Sequence, residues 1–183
     1  MSRSSELSAR RRAWGNRRKV AILNFNALSD LDKCLTEGLC ACDLVMFQEY
    51  RLSAARTTDS EAELRRRGWR AAGAAAIPSK AGGLTPGGLL TLSRVEHGLA
   101  PMLGSFPPVL RDGRVLLLHH AGLVPGGVVV ANIYLESGVG VKSFNSGASR
   151  DLACSLRRYG RPYVVGAVFN CTKKELDQSG ILK

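Results

Sequence analysis

Short apolar runs alternate with amphipathic segments from residue 20 onward. Residues 20–24 (VAILN) and 42–51 (CDLVMFQEYR) have the apolar character of buried strands. Between them, residues 29–39 (SDLDKCLTEGL) repeat leucine every four positions behind Ser29, which can cap a helix. The chain therefore opens with a predicted strand, helix and strand.

The same pattern continues through the rest of the chain. It predicts, in order, a helix over 59–69, a loop over 71–86, a strand over 87–94, strands over 114–124 and 127–137, a helix over 149–160, a strand over 163–165 and the start of a helix over 173–183. Pro125-Gly126-Gly127 is a good turn between the two middle strands. Gly166 is expected to open a loop that ends in Asn170.

This order of elements predicts an α/β protein with a mixed sheet, some antiparallel pairing and flanking helices. The 183 residues are enough for one domain with a sizeable core. No internal repeat or second domain interrupts the pattern. We expect a disordered basic arm over 1–18 and a folded domain over 19–183.

Charge changes the picture at the N-terminus. The net charge is +11, and seven of the 26 basic residues lie in the first 19 positions, against one acid. Such an arm can contact phosphates or anionic membranes, can be a solvated tail, or can be an organelle transit peptide. It has no apolar core of a secretory signal, and no run of about 18 apolar residues predicts a membrane span.

The five cysteines do not form a recognisable framework. Their number is odd, and Cys40-Ala41-Cys42 is a C-x-C without a matching downstream pair. Reduced thiols in an intracellular protein, nuclear or cytoplasmic, are therefore expected.

Polar side chains follow several of the predicted strands. They are Asn24 and Asn26, then Glu49, then Asn132 and Tyr134, and finally Asn170. Ligand sites of open α/β sheets gather beyond the strand ends. A carboxylate with converging amides suits Mg²⁺ or Mn²⁺, which would in turn hold phosphate oxygens.

Five segments carry a resemblance to the endonuclease/exonuclease/phosphatase superfamily, which includes apurinic and retroelement endonucleases. They are Asn24-Phe25-Asn26 (N-x-[ND]), LVMFQE (44–49), GGLLTLSR (87–94), VVVANIYL (128–135, the N-x-Y strand) and YVVGAVFN (163–170, the G-D-[FW]-N loop). The resemblance implies a four-layer α/β sandwich of the endonuclease/exonuclease/phosphatase type, of which this chain holds the N-terminal portion.

The resemblance also implies roles for individual residues. Glu49 and Asn24 would serve the metal, and Asn26, Tyr134 and Asn170 would serve catalysis. Asn132 is expected to stabilise a neighbouring loop instead. Contacts with nucleic acid or phosphate are expected from four arginines: Arg94, Arg10, Arg11 and Arg12.

Two departures from the family pattern bear on activity. Val168 stands where the G-D-[FW]-N loop carries the aspartate that activates water. The expected S-D-H element, with its Asp and His, is absent from the residues after Asn170, and we interpret the chain as C-terminally truncated and degenerate. We therefore expect an impaired relative of Mg²⁺-dependent phosphodiester hydrolases.

Other interpretations stay open at this point. The chain can be a non-catalytic nucleic-acid-binding or adaptor protein that uses its basic arm, or the product of a gene fragment. A partial sandwich would expose a sheet face, and self-association through that face is expected.

Overall fold

The computed structural model describes residues 18–24, 31, 35–36, 39–78, 83, 87–102, 109–110, 113–138 and 144–179. Its strands are β1 (Val20–Asn24), β2 (Leu44–Gln48), β3 (Trp69–Ala74), β4 (Leu89–Arg94), β5 (Leu99–Pro101), β6 (Val109–Leu110), β7 (Val115–His120), β8 (Val128–Tyr134) and β9 (Tyr163–Val168). Its α-helices are α1 (Ala54–Arg66), α2 (Phe144–Tyr159) and α3 (Lys173–Ser179), and short 3₁₀ helices span Leu39–Ala41 and Val95–His97.

Two mixed sheets pack face to face. The first has the order β1-β2-β4-β3, and the second has the order β5-β7-β8-β9, with β6 also pairing with β7. In each sheet one pair is parallel, β1 with β2 and β8 with β9, and the other pairs are antiparallel. Helix α1 packs outside the first sheet and α2 outside the second. This four-layer arrangement confirms the predicted fold class.

Strand β8 is buried on both faces, which accounts for the long apolar run in this part of the sequence. Val128 and Val130 face the other sheet, whereas Val129 and Ile133 face helix α2. Because both faces are covered, every residue of β8 is buried, and the alternation of a half-exposed strand is lost.

Asn132 is the main polar link between the sheets. Its side chain is fully buried, and its Oδ1 accepts a hydrogen bond from Gln48 Nε2 at 2.7 Å. Its Nδ2 approaches three acceptors in the first sheet: Phe47 O (3.1 Å), Leu90 O (3.2 Å) and Thr91 Oγ1 (3.2 Å). The expected loop contact of Asn132 is therefore wrong: the amide joins β8 to β2 and β4.

A second polar link involves His120, which is also fully buried. Its Nδ1 accepts from the backbone N–H groups of Gly122 and Leu123, both at 3.2 Å. The ring proton therefore lies on Nε2 and is donated to Ser93 Oγ at 2.8 Å. Burial, followed by the nearby His97, lowers the pKa of His120 to about 4.

Helix α1 begins five residues before its predicted start at 59. Ser53 caps it by accepting a hydrogen bond from Arg56 N at 3.4 Å, and Thr57 Oγ1 donates to Ser53 O at 2.9 Å. The cap outweighs the weak helix propensity of the Thr57-Thr58 pair.

Strand β3 lies at the start of the segment that was predicted to be a loop, and this prediction is wrong for residues 71–74. All six residues of β3 pair with β4. Gly73 is needed there because a Cβ would lie 2.6 Å from Thr57 Cγ2 and 3.3 Å from Glu61 Oε1. Pairing and helix packing override the low strand propensity of alanine and glycine.

Strand β9 continues to Val168, so the prediction that Gly166 opens a loop is wrong. Gly166 is buried, and a Cβ there would lie 2.7 Å from Met46 Sδ. The glycine lets β9 approach β2 across the sandwich. Helix α2 also starts earlier than predicted, at Phe144, where Asn145 exchanges hydrogen bonds with the backbone of Glu136 at 2.8 and 2.9 Å.

The predicted helix over 29–39 is described only in part. Leu31, Leu35 and Leu39 are buried against the first sheet, as their spacing predicts, and the rest of the segment lies mostly outside the described residues. Among the described helices, none is long and apolar enough to cross a membrane.

Strands β1 and β9 end the described parts of the two sheets on the same side of the sandwich. Large apolar side chains are exposed on both: Val20, Ile22 and Tyr163. Self-association through this side stays a prediction.

Replacing Asn132 with leucine should destabilise the fold by about 3 kcal/mol, because Gln48 would be left buried without its partner. Urea denaturation of the single variants and of Gln48→Leu/Asn132→Leu measures the coupling. We expect the double variant to lose less free energy of unfolding than the two single variants together. Strict additivity would contradict the link.

Lowering the pH from 6.5 toward 4 should remove the stability that neutral His120 contributes. The unfolded histidine takes up a proton near pH 6.5, whereas the folded one does so only near its pKa of about 4. The variant His120→Gln should lack this loss, which is about 2 kcal/mol at pH 4.5. Urea denaturation from pH 7 to 4.5 measures it, with His119→Gln as the matched control; parallel curves for wild type and His120→Gln would contradict the assignment.

Candidate functional site

The carboxyl ends of β2, β8 and β9 meet at one end of the sandwich. Glu49 directly follows β2, and Tyr134 is the last residue of β8. The Tyr134 hydroxyl donates a hydrogen bond to Glu49 Oε1, although 85 residues separate the two in the chain. The Tyr134 side chain is buried, and the Glu49 side chain is only 12 % exposed.

Asn170 completes this group of side chains. Its Nδ2 donates to Leu135 O, directly after β8, at 2.6 Å, and the amide acts to lower the pKa of the Tyr134 hydroxyl. The structure thus brings together three residues that the sequence analysis selected: Glu49, Tyr134 and Asn170. We call these three the strand-end site.

Unusual backbone geometry is concentrated here. Among the described residues, the non-glycine residues with positive φ are Glu49 (59°), Arg51 (50°) and Asn170 (47°). Two of them belong to the strand-end site, and Arg51 adjoins it. Positive φ costs free energy for residues with a side chain, and such conformations cluster at functional sites.

Gly87 and Gly88 support the turn that carries Glu49. Their carbonyl groups accept hydrogen bonds from Arg51 N at 3.0 Å and Tyr50 N at 3.1 Å, respectively. Gly88 has φ of 79°, and a Cβ there would lie 3.1 Å from Arg51 N. The GG pair before β4 is therefore required to hold Glu49 in place.

Two arginines at the site were not selected from the sequence. Arg51 Nη2 lies 3.8 Å from Glu49 Oε1, and the guanidinium carbon of Arg114 lies 5.0 Å from the centre of the Tyr134 ring. Arg114 directly precedes β7, and its carbonyl accepts from Tyr134 N at 2.9 Å. The sequence contains a signal that could have identified Arg114: in the predicted antiparallel hairpin, residue 114 pairs with residue 134.

The Tyr134 phenol stays protonated well above neutral pH. Burial raises its pKa above the ordinary value, and the hydrogen bond to the Glu49 carboxylate and the charge of Glu49 raise it further. Arg114 and Asn170 act in the opposite direction with smaller effects. Tyr134 is therefore a hydrogen-bond donor at this site.

The remaining predicted residues are spread more widely. Asn24 ends β1 beside Gln48, is exposed, and lies next to the strand-end site. Asn26, Arg10, Arg11 and Arg12 lie outside the described residues.

Arg94 lies at the other end of the sandwich. It ends β4, which runs antiparallel to β2, and its neighbour Ser93 pairs with Leu44 at the start of β2. Leu44 and Glu49 are five residues apart along the strand, which is a distance of about 16 Å. The structure does not bring Arg94 to the strand-end site.

The donors at the site fit a weakly held divalent cation. Glu49 is the one carboxylate of the strand-end site, and it shares Oε1 with Tyr134 and Arg51. Mg²⁺ accepts one or two carboxylates together with water and substrate oxygens. Among the described residues, no cluster of three or more His, Cys, Asp or Glu side chains forms a ready-made metal site.

Solved structures share this architecture. A Neisseria 3′ phosphatase, NExo, bound to a product DNA hairpin, superposes over 89% of this chain with a TM-score of 0.60 and 18% sequence identity. The human Nocturnin catalytic domain with a bound sulfate superposes over 88% of this chain, with a TM-score of 0.58 and 17% sequence identity. The Leishmania major AP endonuclease LMAP superposes over 81% of this chain, with a TM-score of 0.53 and 16% sequence identity.

The chain has the endonuclease/exonuclease/phosphatase fold. The matches cover 68%, 67% and 53% of the three proteins' own chains, so this chain spans about two thirds of the first two and about half of the third. No protein-family model and no curated protein sequence matches it. At this level of identity the likeness establishes the fold, and the function has to be argued from the site.

Changing Glu49 to glutamine should lower the Tyr134 pKa toward its ordinary value, because the negative charge is removed while the burial remains. The measurement is an NMR titration of ¹³Cζ-labelled tyrosine. The matched control is Glu136→Gln, which removes a nearby acid that is not among the groups that shift the Tyr134 pKa. A Tyr134 titration unchanged by Glu49→Gln would contradict the contact.

Proposed function

We propose that this chain is an endonuclease/exonuclease/phosphatase-type protein related to Mg²⁺-dependent phosphodiester hydrolases, and that its own catalysis is impaired. The observation that carries the proposal is Val168. It pairs with Tyr134 in the register of β9 and β8, two residues before Asn170, at the position where the family resemblance expects an aspartate.

The surroundings of Val168 support loss of proton transfer. Its side chain packs with the apolar cluster between the sheets, and its carbonyl accepts from Leu135 N at 2.9 Å. A valine can neither accept a proton from water nor orient it by a hydrogen bond. Loss of a general base lowers rates by about 10²–10⁴-fold.

The residues that remain suit phosphate chemistry in other respects. Glu49, with Asn24 beside it, would hold Mg²⁺ or Mn²⁺, which when bound neutralises charge on a phosphate group. The Tyr134 hydroxyl, which donates its one proton to Glu49 in the structure, would have to turn from Glu49 to donate to a phosphate oxygen. The partly exposed Arg51 adds a positive charge at the same place. Asn170, held by Leu135 O, would orient the reacting group.

The substrate class follows from the fold relatives by analogy. One neighbour is a 3′ phosphatase bound to a DNA product, and another is an AP endonuclease. We therefore place the phosphate esters of nucleic acid first among the substrates to test.

We expect purified chain to show little or no Mg²⁺- or Mn²⁺-dependent cleavage of plasmid DNA or of an oligonucleotide with an abasic site. The reason is the missing proton acceptor at position 168. Gel assays with Glu49→Ala as the background control measure this. Robust cleavage that Glu49→Ala abolishes would refute impairment.

A matched pair of variants locates the defect. A gain of cleavage in Val168→Asp that is absent from Val168→Asn would assign the defect to the missing carboxylate. No gain in either variant would assign it to other parts of the site.

A further inference from the structure

The end of the sandwich opposite the strand-end site carries a row of positive charge. Strands β1, β2, β4 and β3 lie side by side, and basic residues lie near this end of three of them: Lys19 before β1, Arg94 at the end of β4, and Arg70 near the start of β3. Arg70 pairs with Ser93, so it lies one residue further into the sheet than Arg94 and on its opposite face. Three strand spacings make this row about 14 Å long. Arg67 extends it, two residues before β3.

Backbone contacts keep the row together. Lys19 N donates to Asp43 Oδ2 at 2.7 Å, and Arg94 N donates to Asp43 O at 3.3 Å. Val95 N donates to Gly68 O at 3.3 Å, which ties the end of β4 to the start of β3. The row is therefore part of the folded sheet.

The Arg94 guanidinium has a defined orientation. Its central carbon lies 4.0 Å from the centre of the buried Trp69 ring. Stacking on an aromatic face restricts the orientation of the guanidinium fork, whose N–H groups lie in its own plane. This geometry suits bidentate contact with a phosphate.

Acidic residues do not cancel this charge. In the segments 18–19, 43, 63–70 and 93–97 there are seven basic residues and three acids. Arg66 and Arg67 pair with Glu63, and the side chain of Arg18 lies 3.3 Å from Asp43. Arg65 and Arg66 also complement the negative end of helix α1. Lys19, Arg70 and Arg94 lie on the sheet itself, where Arg70 Nε donates to Val95 O at 3.4 Å and Arg94 stacks on Trp69.

The basic arm joins the body at this same end. Arg18 Nη1 approaches both Asp43 Oδ1 (3.3 Å) and His97 Nε2 (3.0 Å), so the chain enters the fold beside the row. Arg10, Arg11 and Arg12 precede Arg18 by six to eight residues, a span of at most about 28 Å.

We infer that this basic end, defined by Lys19, Arg67, Arg70 and Arg94, binds the phosphate backbone of a nucleic acid without sequence preference. A linear row of positive charges suits the regularly spaced phosphates of a nucleic-acid strand. Arginine also predominates over lysine in the row, as phosphate recognition favours. This surface lies about 16 Å from Glu49 and does not depend on the proposed hydrolase ancestry.

The test is fluorescence anisotropy with labelled 20-nucleotide single- and double-stranded DNA of mixed sequence, in 50–300 mM NaCl. We expect the logarithm of the association constant to fall linearly with the logarithm of salt. The variant Arg67→Gln/Arg70→Gln/Arg94→Gln should bind at least about tenfold more weakly at 100 mM and show a slope lower by about two to three.

The matched control is Arg56→Gln/Arg150→Gln/Lys174→Gln. It removes the same charge from exposed positions away from the basic end, and it should bind nearly as wild type does. Because Arg94→Gln removes the stack on Trp69, the double variant Arg67→Gln/Arg70→Gln is also measured, and it should retain the wild-type melting temperature and still lose affinity.

Three outcomes would overturn the inference. They are equal loss of affinity in the control triple variant, binding that does not respond to salt, and binding to anionic lipid vesicles without binding to DNA. The two proposals stay distinguishable because they have different readouts: the arginine variants change the salt-dependent affinity for DNA, whereas Val168→Asp and Val168→Asn are compared in the cleavage assay.

Discussion

The Asn132 side chain is the constraint on which the arrangement of the two sheets depends. Its amide is buried and bonds to the side chains of Gln48 and Thr91 and to two backbone carbonyls of the facing sheet. Apolar contacts between the sheets are not directional, whereas a buried amide is satisfied in only one register. The contact therefore fixes how far β8 is shifted along β2.

That register determines the strand-end site. Glu49 lies one residue beyond Gln48, and Tyr134 lies two residues beyond Asn132, on the same face of β8. Fixing the Gln48–Asn132 pair thus brings the Tyr134 hydroxyl to the Glu49 carboxylate. The positive φ of Glu49 then turns the backbone away from the direction of β2. The carbonyl groups of Gly87 and Gly88 accept hydrogen bonds from the two residues that follow Glu49. The position of the strand-end site therefore depends on the buried hydrogen bond between Gln48 and Asn132.

The sequence predicted the layers, and it pointed to three residues that the structure brings together at one end of the sandwich; the physical reasons for its failures are local. Glu49, Tyr134 and Asn170 follow apolar runs, and the parallel pairs align the ends of those runs. Residues 71–74 were predicted to be a loop because alanine and glycine have low strand propensity. Only the tertiary contact explains why a small residue is needed at Gly73. Gly166 was predicted to begin a loop for the same reason, and its closeness to Met46 could not be read from the chain.

Strand direction explains why Arg94 and Arg114 lie at opposite ends of the sandwich. Strand β4 runs opposite to β2, so a residue at its end, such as Arg94, must lie at the start of β2, far from Glu49. A sequence motif fixes which residue ends a strand, but the partner strand fixes at which end of the sandwich that residue lies. Arg114, by contrast, precedes its strand and reaches Tyr134, because β7 runs opposite to β8. The two ends are therefore separate: a substitution at position 168 changes the side chains at one end and leaves the charge of the other end unchanged.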